Sequence, residues 1–318
     1  MNLSCQIYCY TSVILSAGSF FPSSIHAQEP LSRQVLIVTE NDGMISADND
    51  GYYTNGVNIS YQWYLHRPEK RNANRVQALR MGQNIYTSRF SGEPRKENLD
   101  RPITGYLFAD YHQKLYNEKE RLLQWGIGVG VVGPHAFGKE VQSFVHRVVQ
   151  IYKPTYWELQ LQNAFGFTAD ITWSPQIGKP NIHPHLELKP QLSATAGNLF
   201  NHIGIGGALI YGKIHSNSTS AFWYNHRGFG KQDRELFLYL YPVLYLKAYD
   251  ATVQGGMFKR SPEAIEGKLN PLFLNSRCGI MYAGNKFNLG ASFVYESRQS
   301  LTQKSPQVYG SIQAALLW

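Results

Sequence analysis

The sequence predicts an all-β fold: a twelve-stranded antiparallel transmembrane β-barrel with a short helix at one rim. Three observations carry the prediction. Aromatic residues make up 14% of the 318 residues, with 21 Tyr, while charged residues make up only 16%. No apolar run beyond residue 27 reaches the roughly 18 residues that a membrane-spanning helix needs. Instead, segments of about ten residues alternate apolar with small or polar side chains, as strands do when one face meets lipid and the other a lumen.

The chain opens on a stretch that reads as an export signal. Residues 13–22, "VILSAGSFFP", form a modest apolar run, and Ala27 offers a small residue for cleavage. Residues 1–27 are therefore expected to be a signal peptide, and 28–318 a single domain. Cys5 and Cys9 fall in the signal, so Cys278 alone remains. That excludes an intrachain disulfide and a Cys-based zinc site. The formal charge of +8 suits an anionic surface such as lipid phosphates. Nucleic acid is not the expected partner, because an exported protein rarely meets it.

The expected strands are 32–40, 54–66, 76–86, 103–116, 120–132, 164–174, 184–197, 203–213, 235–247, 272–284, 286–298 and 307–318. In the second, Val57, Ile59, Tyr61 and Trp63 share one face, and Gly56, Asn58, Ser60 and Gln62 the other. In the fifth, Trp125, Ile127, Val129 and Val131 are opposed by small glycines. The last sets Val308, Ile312, Ala314, Leu316 and Trp318 against Tyr309, Ser311, Gln313 and Ala315. A final strand ending on an aromatic residue is common in outer-membrane barrels. Residues 250–260 are assigned to a loop or a strand extension, since bacterial single-chain barrels have even strand counts. No 20–50-residue repeat points to a propeller or solenoid, and a soluble β-sandwich is the alternative architecture.

With the N-terminus on the periplasmic side, strand parity places particular residues. Strand one runs outward to Thr39, so Asn41 and Asp42 lie at the outer rim, and strand two begins there near Thr54. Strand five also ends outward, followed by a helical stretch at 136–150. Gln142 and His146, four apart, stack on one face of that helix. A neutral imidazole can take a proton from water, and a glutamine one turn earlier could orient the ring or the water. The same spacing also fits ordinary surface residues of a rim helix.

Other motifs are weaker. Glu40, Asn41, Asp42, Asp48, Asn49 and Asp50 form an oxygen-rich cluster that suits calcium or simply a hydrophilic turn. Gly128, Gly130 and Gly133 match G-x-G-x-x-G, but no βαβ unit surrounds them, and close packing explains them better. The G-x-S-x-G elbow is absent. His183 and His185 lack an apparent third ligand.

Three stretches, "ENDG…DGYYTNGVNISY", "GVGVVGPHAFGKEVQSFVHRVV" and "PQLSATAGNLFNHIGIGGALIYG", together resemble the outer-membrane lipid A 3′-O-deacylases of the LpxR type. "GQNIYTS" and "YWELQLQNAFGFTA" support the likeness, which spans essentially the whole mature chain. The resemblance implies a twelve-stranded barrel with its site between the wall and a rim helix. It implies calcium-dependent hydrolysis of the 3′ acyloxyacyl ester of lipid A in the outer leaflet. His146 matches the proposed base, Asn41 and Asp42 the residues after strand one, Thr54 the strand-two threonine and Gln142 the helix glutamine. Ca²⁺ is expected near Asp42 and Asn41, and Arg147 is a candidate for lipid A phosphates. Gly43 and Tyr152 depart from the family pattern, which has acidic residues at those places. The protein is expected to act as a monomer on lipopolysaccharide in the bacterial outer membrane. The rival readings are an outer-membrane phospholipase and a non-catalytic porin or adhesin.

Overall fold

A computed structural model describes residues 33–45, 51–65, 75–89, 95–148, 150, 154–177, 185–226, 234–258 and 266–318. The expected signal 1–27, the acidic group Asp48, Asn49 and Asp50, Tyr152 and His183 lie outside these residues.

Twelve antiparallel strands form a closed barrel. In chain order they are β1 (Arg33–Asn41), β2 (Tyr52–Leu65), β3 (Arg75–Thr87), β4 (Thr104–Tyr116), β5 (Leu122–Val132) and β6 (Ala164–Ser174). There follow β7 (Leu186–Gly197), β8 (Phe200–Lys213), β9 (Glu235–Asp250), β10 (Leu272–Ala283), β11 (Phe287–Glu296) and β12 (Gln307–Leu317). Each strand pairs with its sequence neighbour, and β12 returns to β1 in register from Gln34↔Leu317 to Asn41↔Gly310. This closure leaves no strand edge, as a sheet surrounded by lipid requires.

Side-chain alternation sorts the two faces as the sequence predicts. Along β12, Val308, Ile312 and Leu316 are exposed, while Tyr309, Ser311, Gln313 and Ala315 are buried toward the lumen. On β5, Ile127 and Val129 are exposed on the outside. A Cβ on Gly126 would meet the His112 ring and Asp170, and one on Gly128 or Gly130 would meet Asp110, Tyr106 or Phe108. The glycine run thus makes room for β4 side chains inside the barrel. Arg80 and His112 both contact Asp110, at 2.6 and 3.0 Å, and His112 also reaches Asp170 at 3.1 Å. These groups line a luminal cavity of about 650 Å³ together with Glu40 and Arg277.

Residues 250–260 do not add a strand. β9 continues to Asp250, whose carboxylate accepts from the Thr252 N–H at 3.0 Å and so starts a single helical turn, α2 (Ala251–Gln254). Gly255 ends the turn with φ 73°, a left-handed conformation that glycine adopts without strain.

The connection after β8 folds back across the mouth of the barrel at which β1 begins and β12 ends. It accepts hydrogen bonds from three parts of the wall. Gln34 of β1 donates to the Tyr224 carbonyl at 2.7 Å, and Lys114 of β4 donates to the Trp223 carbonyl at 2.6 Å. Lys189 of β7 donates to the Asn217 side chain at 2.5 Å. Residues 214–226 therefore plug that mouth.

Replacing Ile127 with Arg, at the middle of β5 on the lipid side, is expected to cost about 2–4 kcal/mol of folding stability. Urea titration in phospholipid vesicles, followed by tryptophan fluorescence, measures this. An unchanged midpoint would mean that this face does not meet lipid.

Candidate active site

β1 ends at Asn41, which is in register with Asn55 of β2. One residue earlier in β2 the ladder to β3 breaks: Tyr53 pairs with Tyr86 and Asn55 with Ile85, leaving Thr54 as the extra residue of a β-bulge. A bulge turns a side chain out of its strand alternation and interrupts the ladder locally. Both effects are used here. The Thr54 carbonyl accepts from Asn41 Nδ2 at 3.0 Å, and the Thr54 hydroxyl lies 2.7 Å from the Thr87 hydroxyl. Tyr52, just before the bulge, has φ 70°, a conformation a non-glycine residue holds only when its surroundings fix it. Its hydroxyl donates to Asp100 at 2.5 Å, and the Arg89 guanidinium lies 4.7 Å from its ring centroid.

Asp42 follows Asn41 in a short 3-10 turn, and its side chain is buried. One carboxylate oxygen accepts from the Gly43 N–H and the other from the Gly51 N–H, both at 2.8 Å. The carboxylate therefore ties the start of the β1–β2 loop to its end. A Cβ at Gly43 would come within 2.8 Å of Asn41 Oδ1, so the amide oxygen lies directly over the glycine. Glu40 leaves the cluster altogether: it points into the lumen and pairs with Arg277 at 2.8 Å and the Tyr53 hydroxyl at 2.7 Å.

The helical stretch is present as α1 (Gly138–Val148). Gly133, with φ 100°, and Phe137, with φ 56°, turn the chain from β5 into it. α1 packs across β3 and β4, and the Gln83 amide donates to the Ala136 carbonyl at 2.5 Å just before it. Gly138, Gln142 and His146 form the buried stripe, at the i, i+4, i+8 spacing of one helix face. The approach is close enough to exclude a side chain at its start. A Cβ on Gly138 would lie 2.5 Å from the Trp157 ring and 3.1 Å from the Gly105 backbone of β4. The outward side mixes charged Lys139, Glu140 and Arg147 with Phe144 and Val148, each of the last two 63% exposed, and Phe137 before the helix is exposed too.

Strand register therefore collects Asn41, Asp42, Thr54, Gln142 and His146 at one rim, the one opposite the start of β1 and the end of β12. Within it, direct hydrogen bonds join Asn41 to Thr54. His146 is buried on the wall-facing side of α1. Gln142 is held by two side chains beneath the helix. Its Nε2 donates to the Tyr156 hydroxyl and its Oε1 accepts from Trp157 Nε1, both at 2.8 Å. Tyr156 and Trp157 are buried with Ile85 and Ile103 beneath the helix, and sequence reasoning had not assigned them a role. The adjacent Tyr-Trp pair was the available signal, since each ring needs a polar partner once buried.

Also at this rim, Arg101 is fully buried. It donates to Thr252 at 3.1 Å and Gln299 at 2.8 Å and sits 4.1 Å from the Tyr86 ring centroid. Burial pulls its guanidinium below the ordinary arginine range, opposed by the nearby Asp250, Glu296 and Asp100 carboxylates. The luminal cavity shares no lining residue with the candidate site.

Two substitutions test this anchoring. Gly138→Val is expected to lift α1 from Trp157 and cost about 1–3 kcal/mol through overpacking. Gln142→Leu orphans the buried Trp157 N–H, at a cost of about 1–3 kcal/mol. Both should speed limited proteolysis between residues 133 and 163, and Trp157→Phe should partly offset Gln142→Leu. Wild-type cleavage rates in both single variants would contradict the packing described.

A family model described as outer membrane protein LpxR matches residues 10–318. Among solved structures, LpxR from Salmonella typhimurium superposes with a TM-score of 0.73 at 18% identity, covering 90% of this chain and 100% of that one. The β domain of the Bordetella autotransporter BrkA gives a TM-score of 0.46 at 9% identity, over 90% of this chain and 98% of its own. The translocator domain of NalP from Neisseria meningitidis gives 0.41 at 10% identity, over 92% and 90% respectively. No curated protein sequence matches the chain. The solved structures speak to the fold alone, whereas the family model spans every strand and α1, and on that match the chain belongs to the outer membrane protein LpxR family.

Proposed function

We propose that this protein is a lipid A 3′-O-deacylase that acts from the outer leaflet of the outer membrane, as a monomer, with His146 as general base. The observation that carries the reading is the orientation of α1. It turns a polar stripe ending in His146 toward the wall and leaves Phe144 and Val148 exposed on its other side. A polar stripe beside exposed apolar side chains would give an ester polar contacts and its acyl chains an apolar neighbour. The family match supports the same substrate class.

The chemistry asked of the chain is hydrolysis of a carboxylic ester. His146 takes a proton from water as the water oxygen bonds to the ester carbonyl carbon. The bond from that carbon to the sugar oxygen then breaks, and the proton passes from the imidazole to the departing 3′ oxygen. The products are a free acyloxyacyl acid and a 3′-hydroxyl. Gln142 is a positioning residue in this scheme: its amide fixes α1 over Tyr156 and Trp157 and so sets where His146 stands. Thr54, turned by the bulge, supplies a hydroxyl at the same rim. Arg147, exposed on α1, is the candidate to meet a lipid A phosphate.

The donors present are compatible with a calcium requirement. Asn41 spends its Nδ2 on the Thr54 carbonyl, which orients Oδ1 away from that bond, and the Asp42 carboxylate is fixed beside it by two N–H groups. The set is all oxygen, as a hard cation prefers. Asn41 and Asp42 are the residues that would hold Ca²⁺, whose chemistry there is to polarise the ester carbonyl. Among the described residues Asp42 is the carboxylate at this corner, with Gly43 where the family pattern has a second acid.

A conducting pore is the weaker alternative, because residues 214–226 cross the opposite mouth of the lumen.

Expression in a bacterium with hexa-acylated lipid A, followed by mass spectrometry of the lipid A, tests the proposal. Loss of the 3′ acyloxyacyl group is expected, and a calcium chelator should abolish it. His146→Ala should slow release by about 10²–10⁴-fold, and Asp42→Asn should raise the calcium needed. Unaltered lipid A alongside lysophospholipid would assign the phospholipase activity instead. Wild-type release by His146→Ala would remove the histidine from the mechanism.

A further inference from the structure

The rim at which β1 begins and β12 ends holds a second constellation, remote from α1. His215 and His226 bracket the plug segment, and Glu235 opens β9 directly after it. One ring nitrogen from each histidine and one Glu235 carboxylate oxygen lie within 4.8 Å of one another. Among the described residues this is the group of His, Cys, Asp and Glu side chains with metal-ligand spacing. His226 and Glu235 are both 0% exposed, and His215 is half-buried at the surface side.

The buried histidine states the chemistry. His226 Nε2 lies 3.0 Å from the Gly284 carbonyl, an acceptor, so Nε2 carries the proton. Nδ1 is then the lone-pair nitrogen of the neutral ring. That atom is fully buried and faces Glu235 Oε2 at 3.3 Å. A nitrogen and a carboxylate oxygen facing each other in a dry site need a cation between them, a proton or a metal ion. The separation matches that role: two ligands each about 2.0–2.1 Å from a tetrahedral zinc ion lie about 3.3 Å apart. The surroundings match it as well. A histidine that binds metal through one nitrogen normally donates the other N–H to a carbonyl or carboxylate, as His226 does. The Glu235 carboxylate is fixed by the His215 N–H at 2.7 Å and the Ala221 N–H at 2.6 Å. The two imidazole rings stand 5.9 Å apart and nearly parallel, with 24° between their planes.

We propose that His215, His226 and Glu235 bind a divalent transition metal, with zinc the expected ion, through two imidazoles and one carboxylate. Two nitrogens and one oxygen in a small tetrahedral space select zinc over calcium, which asks for six to eight oxygens. The ion ties the plug to the foot of β9, and water completes the fourth position. This site is independent of the deacylase reading and uses none of its residues.

The test uses the full barrel refolded in detergent, stripped with a chelator and titrated with zinc chloride. Binding is followed by calorimetry and by the fluorescence of Trp223 in the plug. One zinc per chain and a raised thermal midpoint are expected. Cobalt(II) should give the intense visible absorption of a tetrahedral complex. His215→Ala, at the half-buried ligand, should weaken zinc by at least about tenfold while lipid A processing continues. Glu235→Gln should remove the thermal shift. Excess calcium should leave bound zinc in place. The proposal is overturned if the wild-type chain takes up no zinc, if both variants bind it as tightly as wild type, or if calcium displaces it.

Discussion

The pairing of β1 with β12 is the constraint from which the rest of the molecule follows. A backbone amide or carbonyl left without a partner in the hydrocarbon of a bilayer costs several kcal/mol. A row of them along an open edge would outweigh the net stability of an ordinary domain, about 5–15 kcal/mol. The sheet therefore closes, and an antiparallel sheet closed on itself alternates its loops between two mouths. Each connection is assigned to a mouth before any side chain is considered. The β1–β2 corner and α1 share a mouth for that reason alone, although about a hundred residues separate them.

Within the mouth, close backbone contact does the positioning. Gly105 and Gly138 let the start of α1 lie against β4 and the Trp157 ring. Gln142 then fastens the helix from its buried side. The bulge at Thr54 does the equivalent work on the wall, since the interrupted ladder gives Asn41 a carbonyl to hold. The helix stripe and the β1–β2 corner are thus each fixed by groups outside the proposed chemistry.

Most of the barrel was legible in the sequence because lipid enforces a period of two over every crossing. The twelve expected segments all became strands. Their ends moved by up to about three residues, as where β8 begins at Phe200 and β9 runs on to Asp250, because the ladder extends beyond the apolar band. The rim position of Asn41, Asp42, Thr54, Gln142 and His146 followed from parity. The bulge did not, because it is a relation between two strands and leaves no mark on β2 alone. Gln142's partners depended on the path of residues 154–163, which no periodicity describes. The plug was read only as a connection, although Trp223, Tyr224 and the buried Asn217, Ser218 and Asn225 make it too rich in large and polar groups for an exposed loop.

That segment also imposes an order on biogenesis. It takes hydrogen bonds from β1, β4 and β7, and His226 meets the β10–β11 turn at Gly284. Those partners are spread around the wall, so the full set of bonds forms once the sheet has curved into a cylinder. Should it collapse earlier, it would hold apart the first and last strands, the two that must still find each other.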